Sequence, residues 1–123
     1  MTMNQNPTPI YDLEERTAKF ARDVRVFIRN LPKTIANIED GKQVVRSSGS
    51  IGANYLEAND SLSKKDLVMR MKISRKEAKE TCYWLNLIYV EENSESDKQK
   101  TSLQNEAKEL MLILGSIIQK LEK

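Results

Sequence analysis

The stretch RSSGSIGANYLEAN, residues 46–59, decides how the chain is read. Gly49 and Gly52 stand among serines and asparagines, which suits either a phosphate-cradling loop or a helix built from small residues. A phosphate loop follows a strand and carries a lysine after its second glycine. Ala53 follows Gly52 here, and no strand-like segment precedes it. Read from Ile38, the segment places Ile38, Gly41, Val45, Ser48, Gly52 and Tyr55 at alternating steps of three and four, the repeat of one helix face. Each glycine inside a helix costs about 1 kcal/mol against alanine. Packing has to offset that cost, so this helix belongs in the middle of the structure, with Gly41, Ser48 and Gly52 against a close neighbour.

Working outward, three more stretches carry helical registers. Asp12 opens the first, with Glu15 in the capping-box position, and Leu13, Thr17, Phe20, Val24, Phe27 or Ile28, and Leu31 form its seam. Pro32 ends it, because the residue before a proline is pushed out of the helical region. Ser63 and Asp66 repeat the capping pattern before a seam of Leu67, Met71, Ser74, Ala78, Thr81 or Cys82, Leu85 and Ile88. An acidic linker, EENSESD at 91–97, leads to a last seam of Leu103, Ala107, Leu110, Leu114, Ile117 and Leu121. No segment alternates with period two for long. The expected fold is all-α, an up-down antiparallel four-helix bundle over residues 11–123, preceded by a disordered polar tail at 1–10.

Composition narrows the chemistry. The chain has no histidine and one cysteine, Cys82, expected in the core. Zinc sites of Cys/His type, Ser–His–Asp triads and Cys–His dyads are therefore unavailable. Di-iron bundles need Glu-x-x-His repeats, so neither a metal nor a cofactor is expected. Ser61 and Lys64 share a nucleophile–base spacing, but a turn followed by a helix cap accounts for them. A lone cysteine suits the reducing cytosol, and no run is long and apolar enough for a membrane span. The expectation is a non-enzymatic cytoplasmic protein.

A resemblance sits in the opening stretch. Arg46-Ser47-x-x-Ser50-Ile51-x-x-Asn54-x-x-Glu57, followed by Ser63-Lys64-Lys65-Asp66-Leu67, resembles the bacterial "four helix bundle protein" family. Genes of that family were first noticed inside intervening sequences of large-subunit ribosomal RNA genes. The resemblance implies an up-down bundle assembling as a ring, commonly a pentamer. It also implies kinship with the accessory variability determinant of diversity-generating retroelements, a basic bundle that binds nucleic acid and a reverse transcriptase. The chain departs from the pattern at Gly52, where proline is common, and at Ala58, where glycine usually follows the glutamate. Both departures bear on the path of the second helix. Ser47, Ser50, Asn54 and Glu57 form one polar stripe, either fixing helix register or contacting a ligand.

Net charge is only +2, but its distribution is uneven. In the first helix Arg22, Arg25 and Arg29 share an outward sector; in the third, Lys65, Lys72, Lys76 and Lys79 do. Two such stripes suit a phosphate backbone of RNA or DNA, with affinity but little base specificity. The alternative use of the same bundle is a protein-interaction scaffold. Apolar residues off the seams, Tyr83, Trp84, Tyr89, Met111 and Ile113, point to a homo-oligomer interface.

Overall fold

The computed structural model describes residues 12–123; the tail expected at 1–10 lies outside them. Four helices follow in order: α1 Leu13–Arg29, α2 Ile35–Asn59, α3 Lys64–Leu87 and α4 Glu95–Leu121. Three of them start the same way. The side-chain oxygens of Thr34, Ser63 and Ser94 each accept from the backbone N–H three residues on, at 3.1 Å. At the start of α1 the expectation fails: the Asp12 side chain makes no capping bond, and Glu15 turns to Arg22 at 2.6 Å instead. The acidic linker is also shorter than expected. Asn93 takes φ 63°, its N–H is held by Asp97 at 2.9 Å, and α4 begins at Glu95 inside the acidic run.

Short connections make sequence neighbours antiparallel, and the contacts run accordingly. Along α2 and α3, Asn37 meets Tyr89, Ser47 meets Thr81, and Ile51 meets Ser74. Each helix packs on the next, and α4 closes thinly onto α1, so α1 and α3 stand at opposite corners. The α1–α4 seam is held by Arg16, whose guanidinium donates twice to the Glu106 carboxylate, at 2.7 and 2.9 Å. That bond raises the Arg16 pKa against the opposing effect of burial, and the Glu106 and Glu109 charges add to the rise.

The core is a single cluster centred on Leu13, Phe20, Val24 and Phe27 from α1, Val44 and Ile51 from α2, and Leu85, Leu110 and Leu114 from α3 and α4. The α1 seam lies where its spacing puts it. In α4 the final turns differ: Ile118, not Ile117, is buried. In α2 the buried set is Asn37, Gly41, Val44, Ser47, Ser48, Ile51 and Ala58, while Ile38 is 46% exposed and Val45 and Tyr55 only half-buried. The expected seam is in fact the flank of α2 that faces α1. A Cβ added to Gly41 would sit 3.5 Å from Ile28, and one added to Gly52 only 2.7 Å from the Thr17 hydroxyl. Small residues do admit a close neighbour here, and α2 runs unbroken through Gly52.

Candidate nucleic-acid interface

Four basic residues of α3 face α4. Lys72, Arg75, Lys76 and Lys79 line a groove of about 830 Å³ whose other wall is Met111, Leu112, Gly115, Ser116 and Gln119 of α4. Its one acidic lining residue is Glu122, bonded to Lys72 at 2.8 Å. That hydrogen bond lowers the Glu122 pKa, and the nearby Arg75 charge adds to the effect. Arg75 lies 3.7 Å through its Cδ from where a Gly115 Cβ would be, so its stem runs over the α4 backbone. Farther along, the Lys108 ammonium of α4 acts on Cys82, opposing the upward shift that burial gives the thiol. Glu80, 4.0 Å from Lys76, is shared with Arg46. Negative compensation is thus strongest at the Lys72 end of the groove.

Lys65 sits at that same end, beside Leu121 and Glu122. The α1 arginines stand at the opposite corner of the bundle and are largely engaged. Arg22 pairs with Glu15 at 2.6 Å, and Arg25 donates to the Ala21 carbonyl at 2.9 Å with its tip beside Gly49. Arg29 is exposed at the end of α1. The two expected stripes therefore do not form one track on a single chain. Sequence reasoning missed Arg75 and Lys108. Arg75 is three residues beyond Lys72 and turned toward α4, a position visible only once the neighbour is known.

The stripe from the opening stretch turns toward α3. Ser47 is fully buried on Thr81, Arg46 reaches Glu77 at 3.4 Å and Glu80 at 3.5 Å, and Asn54 accepts from Arg70 at 3.4 Å. Ser50 and Asn54 also bond carbonyls one turn back, while Glu57 stays exposed. These contacts tie α2 to α3 in register. Ser61, of the Ser–Lys pair, donates to the Glu57 carbonyl at 3.1 Å as part of a turn.

The residues expected at an oligomer interface scatter. Tyr83 and Tyr89 are 59% and 55% exposed, while Trp84 is half-buried and forms a T-shaped pair with Tyr83, ring centroids 5.0 Å apart. Met111 lines the α3–α4 groove, and Ile113 is half-buried on the flank of α4 that carries Glu106 toward α1. Cys82, expected in the core, is only half-buried at its margin. Among the described residues, no cluster of three or more His, Cys, Asp or Glu is gathered to hold a metal ion. No described helix is long and apolar enough to cross a membrane.

The pattern of the 23S rRNA-intervening sequence protein family matches residues 11–116. A crystal structure of a protein of unknown function from the S23 ribosomal protein family of Bacteroides thetaiotaomicron VPI-5482 is 31% identical. It superposes with a TM-score of 0.70 over 91% of this chain and 99% of that one. No curated protein matches the chain.

Proposed function

This chain belongs to the 23S rRNA-intervening sequence protein family, and from that premise we propose that it is a non-enzymatic nucleic-acid-binding protein. The groove between α3 and α4 would hold the phosphate backbone of an RNA or RNA–protein complex. One observation carries the reading: Lys72, Arg75, Lys76 and Lys79 line a single groove whose one acidic lining residue is Glu122, with Glu80 4.0 Å from Lys76 at its margin. Cations held side by side on one helix repel mildly, and a polyanion relieves that repulsion while releasing its counterions. Contacts of this kind position a strand without reading its bases.

Fluorescence anisotropy with labelled RNA and DNA across a salt series tests the proposal. Affinity is expected to fall log-linearly with salt. Changing Lys76 and Lys79 to glutamine should flatten the slope by about one per lysine, while the engaged Arg22 and Arg25 should matter less. Absence of binding at ~50 mM salt, where phosphate contacts are strong, would overturn it.

A second reading, a homo-oligomeric scaffold, is supported by large apolar residues left exposed, among them Ile35, Ile38, Tyr89 and Leu112. Light scattering distinguishes it. A mass several times 14.2 kDa supports assembly, the pentameric ring included, and the monomer mass rejects it.

A further inference from the structure

We infer that Tyr83 is a base-stacking platform at the open end of the cationic groove, and that the preferred ligand is single-stranded nucleic acid. The inference rests on the groove reading above and adds to it the form of the strand. Lys72, Lys76, Lys79 and Tyr83 follow one another at steps of four, three and four along α3, so they share one face. Lys76, Lys79 and Tyr83 also line a common hollow with Trp84, Gln43 of α2 and one carboxylate, Glu80, which Arg46 shares at 3.5 Å. Lys76 and Tyr83 are about 10 Å apart along the helix axis, so one short strand can lay a base on the ring and its neighbouring phosphates on the lysines.

Tyr83 suits this role by its surroundings. It is 59% exposed, and it packs T-shaped with Trp84, ring centroids 5.0 Å apart and planes at 77°, which orients the ring. An exposed aromatic ring flanked by lysines is the pairing that single-strand binders use, because every base has a π-face and stacking tolerates sequence. In a duplex those faces are covered by neighbouring base pairs, leaving only the phosphates to be held. A second copy seated on this face through a two-fold axis would bring the same lysines together, whereas a polyanion meets them with opposite charge.

The test uses the full chain and two RNA probes: a single strand of about twelve nucleotides, within the usual site size of such grooves, and the matching duplex. The single strand is expected to bind more tightly. Tyr83→Ala should weaken it about tenfold and leave duplex affinity unchanged, with Tyr83→Phe restoring single-strand binding. Trp84 is the chain's one tryptophan, so its emission should change with the single strand and not with the duplex. If both probes bind and Tyr83→Ala weakens neither or both alike, the stacking inference falls while the groove reading stands. If neither probe binds, the groove reading falls and takes this one with it.

Discussion

Ser47 and Thr81 meet through hydroxyl oxygens 2.8 Å apart across α2 and α3, both side chains fully buried. The Thr81 proton is given to the Glu77 carbonyl, also at 2.8 Å, so Ser47 donates and Thr81 accepts. A slip of α2 along α3 would strand two hydroxyls in the core. The pair therefore specifies register as much as it adds stability.

Removing the donor tests that role. Ser47→Ala is expected to lower stability by about 1 kcal/mol. The Thr81→Val change should cost less in the Ser47→Ala background than alone, because the partner is already gone. Urea unfolding should show a shifted midpoint at constant slope; strictly additive losses would deny the coupling.

Glycines along α2 should differ in sign. A Cβ at Gly52 would lie 2.7 Å from a Thr17 hydroxyl that is itself fixed to the Leu13 carbonyl at 2.7 Å. At Gly49 it would meet only the tip of Arg25, at 3.6 Å. Gly49→Ala is therefore expected to stabilise by roughly 0.5–1 kcal/mol through helix propensity. Gly52→Ala should destabilise by about 1 kcal/mol, overpacking outweighing propensity, and less so in a Thr17→Ala background. Thermal melts of the variants decide it.

Asn37 ties together two connections at one end of the bundle, the one before α2 and the one after α3. Its amide donates to the carbonyls of Pro32 at 3.0 Å and Tyr89 at 2.9 Å, and its oxygen accepts the Tyr89 N–H at 2.9 Å. Asn37→Ala should cost roughly 1–3 kcal/mol, since part-buried backbone groups of Pro32 and Tyr89 lose their partners. Asn37→Asp points a carboxylate at two carbonyl oxygens, which raises the folded-state pKa of the new group. Its stability is then highest below the unfolded carboxylate pKa and declines as pH rises through the folded value. Denaturation midpoints of this variant that rise with pH over that window would contradict the geometry.

Burial lifts the Cys82 thiol pKa, with Lys108 working against it. The native chain at about pH 8 therefore holds less thiolate than the unfolded chain. Alkylation by iodoacetamide should be slower in the native state, accelerate as pH rises, and slow further with Lys108→Gln. Equal rates in native and urea-unfolded protein would refute this.

Much of the fold was legible in local signals. Ser63 with Asp66 marked a helix start that the structure keeps, and the α1 seam from Leu13 to Phe27 is buried as its spacing requires. Capping and period act within one helix, so nearby residues suffice to reveal them. Asp12 shows the limit: the residue was right, but Glu15 found Arg22. The lysines of the candidate groove were legible as a stripe, whereas Arg75 was not, because its role depends on Gly115 leaving room in α4.

By itself the sequence determined four amphipathic helices, the absence of His-based chemistry and the clustering of basic side chains along α3. Tertiary structure alone decided which flank of each helix meets which neighbour. A helical period identifies residues that share a face, but every helix of a bundle touches two others, and period cannot say how a face is divided between them. That is why the seam through Gly41 and Gly52 belongs to α1, while Ser47 and Ile51 belong to α3. It is also why Lys72 is neutralised and the Lys79 end of the groove lies open: Glu122 comes from another helix end, delivered there only by folding.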